Sequence, residues 1–173
     1  MSETAPTLDR RQQRTRAALL ESFTALMFER RYDAFGVADI AARANVGRST
    51  FYEHFGSKDV VLRESMRPFL SVLAEAASGS ACPDRLRGVI EHIWDSRRLG
   101  RVVFTAPMRP VIERQLAEAI VARLGVAGRL AALQIAAAQI SLVDAWTSGA
   151  IAASPDEIIA AIAATRQLAP LAQ

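Results

Sequence analysis

The sequence predicts an all-α chain in two parts, a small N-terminal three-helix domain and a larger C-terminal helical domain, and three observations carry that prediction. Apolar residues recur at helical intervals over most of the 173 residues, and no stretch shows the strict alternation of a strand. Residues 37–55 (VADIAARANVGRSTFYEHF) have the pattern of two short helices joined by a tight turn. Beyond residue 57 the composition shifts towards long alanine- and isoleucine-rich segments separated by Gly and Pro. The expected boundary divides 1–56, with 1–8 as a flexible tail, from 57–173.

The first helix is expected to start at Asp9, three residues before Gln12, and to run to about Arg30, with Leu19, Phe23, Leu26 and Met27 on its apolar side. The second follows from Val37, Ile40, Ala41 and Ala44, which share one face, while Asp39 and Arg43 fall on the other. Asp39 near its start suits the helix dipole. Asn45 should end it, because Asn tolerates the left-handed backbone that a helix stop needs. Val46 is too apolar for a solvated loop and should plug the space between the two helices. Gly47 frees the backbone for a third helix, whose Phe51 and Phe55 form a buried stripe. Its remaining faces hold Arg48, Ser49, Thr50, Tyr52 and His54. Polar groups at the start of the second helix of such a pair are what a major-groove reader needs, so double-stranded DNA is the expected partner.

With these residues in register, the segment resembles the DNA-binding domain of the TetR/AcrR family of bacterial transcriptional regulators. The likeness extends over about 16–62 and rests on Leu19, Phe23, Leu26, Met27, Tyr32, Ile40-Ala41, Val46, Thr50-Phe51-Tyr52, His54-Phe55 and Lys58-Asp59. It implies a helix-turn-helix domain followed by a helical effector-binding and dimerisation domain. Arg48 is then the candidate for base readout, since guanidinium donates twice to guanine; Ser49 and Thr50 would reach bases or phosphate, and Tyr52 and His54 sugar and phosphate. Lys58, the single lysine among 21 Lys and Arg residues, matches a family position that contacts phosphate. Arg14 and Arg16 belong to a run with Arg10 and Arg11 that contains no acid, and are expected on phosphate as well. The chain departs from the family pattern at Arg31, Gly36, Asn45 and Gly47. Gly36 and Gly47 remove hydroxyls that relatives often use, which puts more of the grip on Arg48, Tyr52, His54 and Lys58.

Ser57 can cap a fourth helix running towards Ala77, which Pro68 should kink or break. After Ser78-Gly79-Ser80, Cys82-Pro83 opens a helix to about Arg98. Pro107 and Pro110 crowd the start of another that reaches Leu124, and Gly125 and Gly128 frame a short connection. A long apolar helix is expected over 129–152. Ser154-Pro155-Asp156-Glu157 is a complete capping box with Pro at the first helical position, opening a last helix over 155–169.

Asp144 is the only charge between Arg129 and Asp156, and a helix apolar on nearly all sides must be buried all round. The chain is therefore expected to pair with itself through the helices at 129–152 and 155–169, making a homodimer that reads a palindromic operator. The resemblance implies the same arrangement and also a small-molecule effector. Trp94, Phe104, Met108, Gln139 and Trp146 are the candidate lining, apolar or aromatic with one polar anchor, which favours a lipophilic ligand. An effector-independent DNA-binding protein of nucleoid or cell-division type on the same fold is the alternative.

A hydrophobic content of 51% excludes a disordered chain. Polar interruptions at Gln134, Gln139, Ser141, Asp144, Thr147 and Ser148 speak against a membrane span at 130–153, and residues 1–7 lack the apolar core of a signal peptide. The single Cys82 cannot form an intrachain disulfide, as expected in a reducing cytoplasm. With two His, one Cys and scattered carboxylates there is no metal spacing, nucleophile motif or phosphate-cradling loop. Neither a cofactor nor an enzymatic activity is expected.

Overall fold

The computed structural model describes residues 10–97 and 108–168. Among these residues every regular element is helical, and the chain forms two compact units that meet in sequence between Ser65 and Met66. The expected cap at Asp9, the tail at 1–8, and Arg98, Phe104 and Pro107 lie outside the described residues.

The first unit holds α1 (Arg10–Glu29), a 3-10 turn (Tyr32–Ala34), α2 (Val37–Arg43), α3 (Arg48–His54) and the first turns of α4 (Lys58–Ser78). Leu19, Phe23, Leu26 and Met27 recur at three- and four-residue steps on α1 and are buried, as are Phe35, Ile40, Phe51, Phe55, Val61 and Leu62. The core is aromatic: Phe23, Tyr32 and Phe35 meet edge to face, with ring centroids 5.9–6.4 Å apart. Ser57 caps α4, its Oγ accepting from the Val60 N–H at 3.3 Å.

The second unit takes up the remainder of α4 and adds α5 (Pro83–Asp95), α6 (Met108–Leu124), α7 (Arg129–Ser148) and α8 (Pro155–Ala164), with 3-10 turns at Val126–Gly128 and Thr165–Leu168. Pro68 does not end α4, which continues through it to Ser78. The proline ring is exposed, and the loss of one N–H donor is tolerated in a helix whose next turns bury Leu70, Val72 and Leu73. Glu75 of α4 gathers two cations: both of its carboxylate oxygens lie 2.8 Å from Arg85 Nη1 of α5, and Oε1 lies 3.5 Å from Arg123 of α6.

α6 and α7 run antiparallel, joined at Gly125, whose φ of 76° suits a glycine. Arg109 near the start of α6 reaches Asp144 and Ser141 near the end of α7, at 3.1 and 2.5 Å. α7 stops at Ser148, short of the expected 152, because Gly149 adopts the left-handed conformation (φ 83°). The apolar composition runs on past this point, so only the backbone marks the stop. Trp146 Nε1 donates to the Ala153 carbonyl at 2.8 Å and pins the connection to α8. There Ser154 and Glu157 form the expected reciprocal capping box: Glu157 N–H to Ser154 Oγ at 3.3 Å, Ser154 N–H to Glu157 Oε2 at 2.7 Å.

The expectation that α7 is buried all round is not met within one chain. Ala132, Ile135, Ala136, Gln139, Ile140, Val143 and Trp146 are buried, whereas Leu130 (78% exposed), Leu133 (51%), Ala137 and Ala138 face outward. Residues 126–148 are also long and apolar enough to cross a membrane by length and composition, with 39% of the apolar window buried inside the fold.

Candidate nucleic-acid interface

The turn between α2 and α3 closes on paired backbone bonds. Val46 N–H donates to the Ala41 carbonyl at 3.0 Å and Asn45 N–H to that of Ala42 at 3.1 Å, with Asn45 at φ 54°. This is the doubly bonded helix stop that needs a left-handed residue, and Asn45 meets the need where glycine is more common. Gly36 opens α2 in extended backbone, and its N–H donates to Asp39 Oδ2 at 2.8 Å. Gly47 precedes α3 at φ −73° without a side-chain cap. A Cβ at Gly47 would meet only Ser49 Oγ at 3.5 Å, and one at Gly36 only Asp39 Oδ2 at 3.9 Å. Neither position requires glycine, so the missing hydroxyls are a choice of side chain and not a demand of the backbone.

α3 divides its residues cleanly. Phe51 and Phe55 are buried, 5.9 Å apart between centroids, and hold the helix against the core. Arg48 and Ser49 are exposed, Thr50 is half-buried, and none of the three makes a side-chain hydrogen bond to another described residue. Tyr52 is 56% exposed and rests edge-on against Phe51. His54 is half-buried. Glu53, which sequence reasoning passed over, is also exposed on α3 and places one negative charge there.

Two expected phosphate cations face elsewhere. Arg16 donates from Nη1 to the His54 carbonyl at 3.0 Å, pairs with Glu64 at 3.3 Å and lies 4.4 Å from the Phe55 ring centroid. It therefore fastens α1 to the end of α3. Lys58 Nζ donates to the carbonyls of Tyr32 and Phe35 at 2.6 and 2.8 Å and sits over both rings, 3.9 and 4.9 Å from their centroids. Burial pushes its ammonium below the usual lysine range, against the opposing pull of Asp59, Asp33 and Asp39. The Tyr32 hydroxyl donates to Asp59, and burial first, then that bond and the carboxylate's charge, push the phenol well above its usual value. Arg14, with Arg10 and Arg11, is exposed on α1. Arg43 is held by Glu29 at 2.7 Å.

Residues 19–64 match the sequence family of bacterial regulatory proteins of the tetR family. This segment carries a DNA-binding domain of the tetR family. Over 57 residues it is 37% identical to an uncharacterized HTH-type transcriptional regulator of Bacillus subtilis (strain 168), YxbF, a match over 32% of this chain and 15% of that protein's length. Two solved TetR structures share its fold: a regulator from Streptococcus agalactiae 2603V (TM-score 0.60, 21% identity, 91% of this chain and 96% of that one) and one from Rhodococcus sp. RHA1 (TM-score 0.58, 16% identity, 92% and 97%).

Of the residues expected around an effector, two are seen in direct contact. Trp94 of α5 and Trp146 of α7 stack, with centroids 4.6 Å apart and planes at 23°; Trp146 is buried and Trp94 is 37% exposed. Arg97 lies 4.9 Å from the Trp94 ring centroid. Gln139 is fully buried, but its amide donates to Thr165 Oγ1 at 2.9 Å and, more weakly, to the Leu73 carbonyl at 3.4 Å. Its Nε2 thus braces α4, α7 and the turn after α8, and Oε1 alone has no partner among the described residues. Met108 is buried at the start of α6, and Phe104 is outside the described residues. His92 and Cys82 are exposed.

Proposed function

We propose that the chain is a homodimeric transcriptional repressor in the cytoplasm that binds a palindromic operator through α3 and is released by a small lipophilic effector. The observation that carries the DNA-binding part is the outward side of α3: Arg48, Ser49 and Tyr52 are exposed on a helix whose opposite side is locked by Phe51 and Phe55. Side chains without partners at the start of such a helix are free to donate to base edges and phosphates. Arg10, Arg11 and Arg14 add exposed positive charge on α1. Dimerisation is supported by Leu130, Leu133, Ala137 and Ala138, an apolar strip on α7 that a second copy would cover.

The effector reading is supported by the paired tryptophans, an aromatic wall with one half-open member. An effector-independent DNA-binding protein is the second reading, favoured by Gln139: the expected polar anchor already has its amide N–H groups engaged within the fold.

Titration of the full chain against duplex from its own upstream region, across a salt series, tests the proposal. Binding should weaken steeply with salt, and Arg48→Ala should lower discrimination at one base position by about 1–3 kcal/mol. Equal loss on specific and scrambled duplex would remove Arg48 from base readout, and no binding at low salt would overturn the function.

A further inference from the structure

Lys58 sits at a family position expected to bind phosphate, yet its surroundings are those of an internal fastening. Two of its three N–H donors are directed at backbone carbonyls, Tyr32 O at 2.6 Å and Phe35 O at 2.8 Å. The ammonium also lies against two aromatic rings, 3.9 Å from the Tyr32 centroid and 4.9 Å from that of Phe35. Tyr32 and Phe35 bracket the 3-10 turn that leads into α2. Asp59, the next residue, accepts from the Tyr32 hydroxyl, so two consecutive residues of α4 grip the same turn. To reach a phosphate, Lys58 would have to abandon both carbonyls and both rings, which replaces one desolvated set of charge-assisted contacts by another.

We infer that Lys58 is a positioning residue and not a phosphate ligand: with Tyr32 and Asp59 it ties the turn before α2 to the first turn of α4, and so fixes the angle at which α3 is presented to DNA. The route is short. α2 is anchored ahead of its first residue by this tie and behind its last by the bonded turn at Asn45, which hands its orientation directly to α3. Arg16 completes the frame at the far end by holding the His54 carbonyl. The single lysine of an arginine-rich chain thus occupies a place where a compact ammonium, able to donate to two carbonyls while lying against two rings, fits better than a planar fork.

The inference rests on the DNA-binding reading above, and the test separates the two. Full-length wild type is used to select a duplex from a random pool; affinity for that duplex and for a scrambled one is then measured across a salt series for wild type, Lys58→Met and Lys58→Arg. All measurements are made well below each protein's melting temperature. A positioning role predicts that both variants lose about tenfold or more on the selected duplex but little on the scrambled one. The salt slope should stay that of wild type. A phosphate ligand predicts a slope shallower by about 0.9 per contact, roughly 1.8 for a dimer, in Lys58→Met, with Lys58→Arg restoring wild-type behaviour. That result overturns the inference. Wild-type affinity and selectivity in folded Lys58→Met also overturn it, because a purely structural fastening would lower the melting temperature and leave discrimination untouched. Should Lys58→Met fail to fold, Lys58→Arg decides alone, since it retains the charge a phosphate needs. A wild-type chain that selects no duplex overturns the DNA-binding reading and this role with it.

Discussion

The two units of the chain solve opposite problems. The first is finished within a single chain: its aromatic core is closed, Arg16 and Lys58 are tied to backbone carbonyls, and exposed polar side chains remain on the outer side of α3 and, as Arg10, Arg11 and Arg14, on α1. The second is closed only on one side of α7, which leaves Leu130, Leu133, Ala137 and Ala138 uncovered. Free polar groups on a rigid helix and free apolar groups on a long one call for different partners, nucleic acid in the first case and a second copy in the proposed reading of the other. The difference also separates what can be damaged without the other unit noticing.

Phe51→Ala should produce the largest effect. Phe51 is fully buried and, with Phe55, seats α3 on its domain, and emptying such a site costs about 3–5 kcal/mol, a large share of what a unit of this size has. Hydrogen exchange should show protection lost throughout residues 10–65, with DNA binding gone, while light scattering still reports association through the second unit. Equal loss of protection in α6 and α7 would show that the units are one cooperative body, and the contrast would fail.

The next effect attacks the other side of the comparison. Leu130→Glu with Leu133→Glu places charge on the exposed strip of α7, where neither residue contributes to the core of its own chain. Each leucine is worth roughly 1.5–3 kcal/mol when covered, so self-association should weaken by about a hundredfold or more. The protomer's helical content should stay unchanged. Sedimentation that shows the same species for wild type and the double variant would place the interface elsewhere, and a wild type that is monomeric at micromolar concentration would remove the dimer altogether.

These regions were not equally legible in the sequence, and the reason is range. The stop at Asn45, the cap at Ser57 and the box at Ser154 each depend on residues two to four positions apart, and all three were read from the chain. The engagements of Lys58 and Arg16 depend on partners 23–38 positions away, and a pattern of residue types gives no hint that a cation turns towards a carbonyl instead of a phosphate. The one available signal was a lone lysine among arginines. For α7 the periodicity was read correctly as apolar on many sides, but not which side the chain itself would cover. Its end at Gly149 was missed because apolar residues continue to Ala153 and only a backbone angle marks the stop. Residue type alone makes Gln139 a candidate polar anchor for a ligand, whereas its acceptors, Leu73 and Thr165, lie 66 and 26 residues away.

The smallest effect concerns how the two units begin their helices, and it runs in opposite directions. α8 starts with a complete capping box, whereas α3 starts at a bare glycine. Ser154→Ala should cost about 1 kcal/mol, seen as a lower melting temperature of the second unit. Gly47→Ser should gain a few tenths of a kcal/mol in the first, because a Cβ there meets only ordinary contacts and an N-cap hydroxyl prefers the extended backbone already present. The box also carries a pH signature. Glu157 is held below its ordinary value of 4.5, first by the Ser154 N–H and then by its hydroxyl. A carboxylate with a depressed native value contributes stability that is present above 4.5 and disappears as the pH falls through the lower native value. The melting temperature of Glu157→Gln should therefore lie below wild type near neutral pH and converge with it in acid. Gly47→Ser, whose hydroxyl does not titrate, should keep its small gain at every pH. A gain at Gly47 accompanied by weaker operator binding would mean that α3 is left uncapped for the sake of a close approach to DNA, and the bare start would then belong to the interface and not to chance.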